Sequence, residues 1–261
     1  MARKGQKRGL KRSKAPKSWR IARKEKKWTI NPHSGPHNKE AIPLAFILRD
    51  YLGYAHTLRE AKRILNERKV EINGTVRCDF KFPVGIMDVV DIPVTKECFR
   101  VLLNRKGNLM IHPIPDEEKH FRPLKIAGKY LVKGGRTQLR FHDGTTLLVD
   151  GTAEERKEAE EKEAEEAKKR KARAKKVKKV SYAAFGTVLY DFNSKTIVDY
   201  FPFAKGNFAV ITGGRNVSRS GSITSIKENF VEIEGEESFR TLKDNVFVIG
   251  TEKSVISLPG G

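Results

Sequence analysis

Short apolar runs alternating with turn residues fill most of the chain beyond residue 98, and no other feature narrows its fold as much. "FRVLL", "NLMIHPI", "KIAGKYLV", "TQLRF" and "TTLLV" follow one another between Phe99 and Val149. Lys106-Gly107-Asn108, Gly134-Gly135 and Asp143-Gly144 separate them as turns. "FGTVLYDFNSKTIVDYFPF" then reads as a hairpin, and "NFVEIEG", "FRTL" and "NVFVIG" as parts of a second β unit. Runs this short with a period of two predict antiparallel strands rather than helices.

One segment breaks the pattern. "EERKEAEEKEAEEAKKRKARAKKVKK" (154–179) opens acidic and closes basic, with no apolar stripe. Glu158–Lys162, Glu165–Lys169 and Glu166–Arg170 are favourable pairs four residues apart, and the charge order suits a helix dipole. A solvated helix projecting from the body is expected there, its basic end either touching nucleic acid or remaining in water.

Helices are expected only nearer the N-terminus. "AIPLAFILRDYLGY" predicts a short apolar helix with Pro43 in its first turn. Thr57 and Glu60 form a Thr-x-x-Glu capping box for a second helix. Leu58, Ala61, Ile64 and Leu65 make its buried stripe, while Arg59, Lys62 and Arg63 share another face. "VEINGTV" follows as a strand with an Asn73-Gly74 type I′ turn, and "GIMDVVDI" as a further strand.

Ahead of these lies "MARKGQKRGLKRSKAPKSWRIARKEKKW", in which Glu25 is the one acid. It has no apolar periodicity, so alone it should be disordered and should order on nucleic acid. Trp19 and Trp28 then gain a purpose by stacking on bases or docking on a neighbour. "NPHSGPH" (31–37) reads as a stiff linker; His33 and His37 have no carboxylate or cysteine beside them in sequence, so no metal site is expected.

Charge identifies the class of partner. With 53 Lys and Arg against 32 Asp and Glu, the formal charge is +21. Folding has no use for such an imbalance, because like charges repel in the compact state. A polyanion does, because clustered cations release its counterions. Cys78 and Cys98 are too few and too far apart for a disulfide scaffold, and fit buried thiols in a reducing compartment. No apolar run is long enough for a membrane span, and the basic N-terminus leads into no signal-peptide core, so an intracellular protein is expected.

"KGNFAVITGGRNVSRSGSI" (205–223) tests whether phosphates are met as a nucleotide or as a nucleic acid backbone. Six residues separate Gly214 from Gly221, no lysine follows, and "SITSI" continues as a strand. A nucleotide loop needs a helix there, so that reading fails. A strand–loop–strand remains, its glycines permitting positive φ and its tip carrying Arg215 and Arg219.

This stretch resembles a KOW motif, the RNA-touching β element of ribosomal proteins and elongation factors. Gly206, Val210, Ile211, Gly214, Arg215, Gly221 and Ile223 match it; Asn207, Val217 and Ser218 depart. Serine resists positive φ, so position 218 sets the loop's sequence at odds with the motif's geometry. The helix–helix–hairpin of 41–92 is similar to the alpha-L RNA-binding motif. "LKRSKAPKSW", "SGPH", that module, the KOW element and "TLKDNVFVIG" occur in this order. Together they resemble the archaeal/eukaryotic-type small-subunit ribosomal protein four family over nearly the whole chain. The charged insert stands outside the likeness. The absence of a basic tail after "SLP" points towards an archaeal source.

The resemblance implies an α+β multidomain chain. Its parts are an arm and linker (1–40), an alpha-L module (41–95), a central antiparallel β domain (96–203, insert 152–180) and a C-terminal KOW/SH3-like barrel (204–261). It implies a cytoplasmic structural constituent of the small ribosomal subunit, bound to its ribosomal RNA and to neighbouring ribosomal proteins. No catalytic residue, metal, cofactor, membrane or small-molecule substrate is expected. RNA contact carries over to Lys11, Arg12, Lys14, Lys17, Trp19 and Arg20 of the arm, and to Ser34, Gly35 and His37 of the linker. It carries over also to Arg49, Arg59, Lys62, Arg63, Arg77 and Lys81 about the helices, and to Arg215 and Arg219 of the loop. An RNA-modifying enzyme is the main rival, but the β tracts are too short for a catalytic domain. A dissociable KOW-bearing factor is the second.

Overall fold

The structure is a computed structural model that describes residues 9–37, 41–133, 136–150, 182–235 and 237–259. The charged segment expected to be helical at 154–179 lies outside these residues. Strand β1 (Leu10–Lys11) pairs with β2 (Trp28–Thr29), so the arm folds back on itself. After β3 (Ile42–Pro43), helix α1 (Leu44–Phe46) continues directly into a π-helical turn, Ile47–Tyr51. Every residue from Ala41 to Leu48 is buried, which is why this helix carries no polar face. Pro43 stands at its N-cap, where a missing N–H costs nothing.

Helix α2 (Leu58–Asn66) begins at the expected capping box: the Glu60 N–H donates to Thr57 Oγ1, and Glu60 Oε2 accepts from the Thr57 N–H, both at 3.3 Å. Ala61 and Leu65 face the core. Strands β4 (Glu71–Ile72) and β5 (Thr75–Val76) flank the Asn73-Gly74 turn, whose φ angles of 52° and 69° are those of type I′. Strand β6 (Pro83–Val84) returns to pair with β3.

Among the described residues, three antiparallel five-stranded sheets make up most of the rest. β7 (Val89–Ile92), β8 (Glu97–Leu103) and β9 (Leu109–Ile114) extend the hairpin in the order β5-β4-β7-β8-β9. This sheet runs across the 95/96 boundary expected from sequence. β10 (Phe121–Val132), β11 (Arg136–Phe141), β12 (Thr146–Asp150), β13 (Thr187–Asp191) and β14 (Thr196–Phe201) form the second, ordered β12-β11-β10-β13-β14. The strands on either side of the charged insert therefore share one sheet. β15 (Phe208–Ile211), β16 (Ser220–Ile226), β17 (Phe230–Glu234), β18 (Ser238–Leu242) and β19 (Val246–Gly250) form the third, ordered β18-β17-β16-β15-β19. The chain is thus α+β and predominantly β.

The largest core gathers residues from the arm, the helical module, the first sheet and the third sheet: Trp19, Phe46 and Leu48, Leu65, Val90, Leu102, and Phe247 and Ile249 of β19; the second sheet has a core of its own around Leu124, Ile126 and Leu139. Fully buried Arg100 directs its guanidinium to Glu118 Oε2 at 2.9 Å and to the Phe121 carbonyl at 3.0 Å. Both Glu118 carboxylate oxygens also accept the Ser257 N–H at 3.0 Å, fastening the C-terminal segment. Cys98 is buried and donates to Asp91 Oδ1 at 3.1 Å; burial first, then this carboxylate, pushes its thiol up to about 12. Cys78 is exposed, contrary to the expectation of two buried thiols.

Candidate nucleic-acid interface

The arm divides its cations between inside and outside. Lys11, Lys14, Lys17 and Arg20 are exposed. Arg12 is buried, its guanidinium bonded to the Ala22 carbonyl and 3.4 Å from Glu25. Arg23 spans the carbonyls of Arg12, Ala15 and Pro16 at 3.2, 2.9 and 2.8 Å, tying the turn together. Trp19 is only 3% exposed and meets the Phe46 ring edge-on, with centroids 5.6 Å apart. The expectation of a free arm with a stacking Trp19 and a phosphate-binding Arg12 is therefore corrected. Both side chains anchor the arm to the body, because a large aromatic ring gains more in the core than in water. Trp28, 55% exposed beside Lys27, is the ring left outside.

The linker is corrected in the same way at its far end. Ser34 and Gly35 are exposed, but His37 is buried. Its ring lies over Gly85, where any Cβ would overlap it, and its Nε2 is 2.9 Å from Asp88 Oδ2. Asp88 also accepts from Asn73 Nδ2 and the Gly85 N–H, both at 2.8 Å, and its Oδ1 is 2.9 Å from Arg122. Arg122 in turn lies 2.9 Å from Asp143 Oδ2, an ion pair by distance without hydrogen-bond alignment. Burial alone would raise the Asp88 carboxyl, yet Arg122 and His37 hold it well below the usual carboxylate range. The sequence reading missed this network because its members come from four distant segments and each looks ordinary alone. Asn73 was legible only as a turn residue.

His142 completes the interior. Its ring lies between those of His37 and Phe247, 5.6 and 5.2 Å away, and neither ring nitrogen has a hydrogen-bond partner among the described residues. Burial and then the nearby Arg122 charge push it down to about 3, so it is a neutral imidazole.

Basic side chains gather instead on one outer face of the helical module. Arg59, Lys62 and Arg63 are exposed on α2. Lys62 stands 4.2 Å and Lys81 5.5 Å from the centre of the Phe80 ring, while Arg77 stands 4.4 Å from that of Phe82. The 77–82 loop thereby meets the basic face of α2 through shared rings, a cation–π arrangement. Arg63 bonds Glu67 at 3.3 Å, an exposed pair of little energetic weight. Arg49 is taken up by Asp50 in two bonds of 2.9 and 2.8 Å, which raise its pKa, and it lies 5.1 Å from the Phe46 ring. The linker reaches this face too: the His33 N–H donates to the Lys81 carbonyl at 3.0 Å.

In the 212–219 loop, Arg215 and Arg219 are exposed. Arg219 reaches Glu237 at 2.7 Å and lies 5.7 Å from the Phe239 ring. Ser218 adopts φ 68°, and its N–H donates to the Ile211 carbonyl at 2.9 Å. The left-handed turn is thus kept despite the serine. Gly206 and Gly214 use positive φ, at 88° and 85°. Gly221 serves closeness instead, since a Cβ there would overlap the Glu234 carbonyl of β17. Among the described residues, no group of three or more His, Cys, Asp or Glu side chains could hold a metal ion, and no helix is long and apolar enough to cross a membrane.

Comparison with known proteins gives this arrangement its relatives. Two family models match, described as "Ribosomal family S4e" over residues 95–197 and "RS4NT (NUC023) domain" over residues 4–40. Small ribosomal subunit protein eS4 of Aeropyrum pernix is 39% identical, covering 100% of this chain and 99% of its own. The eS4 protein of Methanothermobacter thermautotrophicus is also 39% identical, with 97% of this chain and 96% of its own covered. The crystal structure of the 30S ribosomal protein S4e from Thermoplasma acidophilum superposes with a TM-score of 0.64 at 29% identity. It covers 82% of this chain and 97% of that one. With relatives this similar over their full lengths, the chain belongs to the ribosomal S4e family.

Proposed function

We propose that the chain is a structural constituent of the small ribosomal subunit that binds and stabilises folded small-subunit ribosomal RNA through basic contacts to phosphates. The observation that carries this reading is the joint face of α2 and the 77–82 loop. There Lys62 and Lys81 share the Phe80 ring, Arg77 backs onto Phe82, and Arg59 and Arg63 extend the patch. Aromatic rings hold the charged heads in place, so the cations are pre-positioned for phosphates. This face corresponds to the alpha-L-like module of 41–95, and the sheet of β15–β19 to the KOW-like unit of 204–261. The exposed arm cations Lys11, Lys14, Lys17 and Arg20, with Arg215 of the loop, extend the surface. Its partners are ribosomal RNA and adjoining ribosomal proteins in the cytoplasm, and it has no catalytic role.

Sedimentation of a cell lysate through sucrose in high salt tests the reading: the chain should travel with the small subunit, and its retention at the top of the gradient overturns it. Filter binding of ribosomal RNA across salt concentrations should show a steep dependence that flattens by about 0.9 in log–log slope for each phosphate contact removed.

A further inference from the structure

A cleft of about 370 Å³ opens where the second and third sheets meet, lined by Lys125, His142, Phe185, Gly213, Asn245 and Phe247 among others. Several features of its lining have no use in the fold alone. The buried His142 nitrogens are unpartnered among the described residues, an exception that buried polar groups rarely show. Phe185 adopts φ 67°, a conformation that bulky side chains avoid, held by its N–H to the Ile126 carbonyl at 2.9 Å. Asn245 lies against Gly213 so closely that a Cβ there would meet its Oδ1 at 2.6 Å, and its carbonyl accepts the Thr212 N–H at 2.8 Å. Glycine at 213 thus makes room for an amide at the cleft wall.

The chemistry favours a planar heteroaromatic ring over a free anion. Lys125, the one lysine or arginine among the described residues that line it, already donates to the Asp244 carbonyl at 2.7 Å and lies 5.4 Å from the Phe185 ring. Burial lowers its pKa to about 8, and with donors already committed to the Lys243 and Asp244 carbonyls it is not free to trap an anion. Beside it the lining offers the acidic Asp244, which disfavours a free anion, and an aromatic wall and edge, an amide and an imidazole, the set that reads a base by stacking and by its hydrogen-bonding edge. The wall at Thr212 and Gly213 continues into the loop bearing exposed Arg215. We propose that this cleft receives one unpaired base of the bound RNA, stacked on Phe185 and hydrogen-bonded by Asn245 and His142. The inference rests on the RNA-binding reading above.

The test uses the full chain with deproteinised small-subunit ribosomal RNA, probed at base edges with dimethyl sulfate and carbodiimide and at the backbone with hydroxyl radicals. One unpaired base should be protected by the unaltered protein and regain reactivity with Phe185→Ala and with Asn245→Ala. The backbone footprint should persist, and affinity should fall about tenfold. Thermal melting of each variant identifies any loss of fold, and the two substitutions at separate walls give independent readings. Unchanged base protection and affinity in both folded variants overturn the cleft assignment while leaving RNA binding intact. Absence of salt-dependent binding by the unaltered protein overturns both readings together.

Discussion

Replacing His142 with phenylalanine should flatten the pH dependence of stability below neutrality. The imidazole is held neutral at about 3 in the folded chain, first by burial and then by Arg122, and is free to protonate near 6.5 once unfolded. A base whose folded pKa is depressed contributes stability that is present above 6.5 and lost as pH falls. At pH 5 the folded ring is still neutral while the unfolded one is nearly all charged. Relative to pH 7, the unfolded state then gains about 1.4 units of protonation free energy, or about 1.9 kcal/mol at 1.36 kcal/mol per unit. The figure is insensitive to the folded pKa so long as that stays below about 4. Urea unfolding at pH 7 and pH 5 measures it, with buried Trp19 as the main fluorescence reporter and exposed Trp28 contributing little change. Phenylalanine can pack against Phe247 in the same place but cannot titrate. Unaltered protein should lose about 1.9 kcal/mol more than H142F between the two pH values. Parallel losses in the two proteins, whatever their absolute stabilities, would refute the buried neutral imidazole.

Asp88→Ala should destabilise the chain by about 3–5 kcal/mol at pH 7, measured by urea unfolding, because Arg122 and His37 lose the carboxylate between them. Because the Asp88 pKa is depressed, this contribution is present above about pH 4 and lost as pH falls below it; the gap between variant and unaltered protein should therefore narrow in acid. Gly85→Ala should expel the His37 ring and expose the 31–37 segment to limited proteolysis while α2 keeps its helical circular dichroism; resistance equal to that of the unaltered chain would contradict the packing. Ser218→Val should cost about 2 kcal/mol, since a β-branched residue tolerates φ 68° poorly, and a melting temperature unchanged within about 1 °C would deny the left-handed turn. Lys62→Met should leave the fold intact and reduce the salt slope of RNA binding by about one contact's worth, with an unchanged slope placing Lys62 off the interface.

Local chemistry was legible, and long-range pairing was not. Thr57 with Glu60 and Asn73 with Gly74 are short-range patterns whose physics is complete within four residues, and the structure contains both. The strand periodicity of β8 to β19 reads equally well, because one buried face imposes a period of two. The basic arm misled for a physical reason: charge density predicts disorder only if the few apolar residues have no partner. Trp19 finds Phe46, and Arg23 satisfies three carbonyls that would otherwise face water. Likewise, His37 looked like a linker residue because nothing near it in sequence could pair with it. Its partner Asp88 belongs to another segment, as does the Gly85 gap its ring fills. The shared exposed face of Arg59, Lys62 and Arg63 on α2 was legible by helical spacing, whereas Arg77 and Lys81 entered only through the family resemblance. The rings that gather Lys62, Lys81 and Arg77 were not singled out.

The network joining His37, Asp88, Arg122 and Asp143 also sets a timetable for the nascent chain. Its first member leaves the synthesising ribosome about a hundred residues before its last, an interval of roughly 5–20 s at ordinary elongation rates. During that interval the linker has no complete anchor, and the cations just ahead of it remain available to any polyanion. The His37 end of the linker is fixed only when the β11–β12 turn has been made, because its N–H donates to the Asp143 carbonyl. Chain length thus decides when the linker gains its last anchor, while the arm already holds to the body through Trp19 and Phe46.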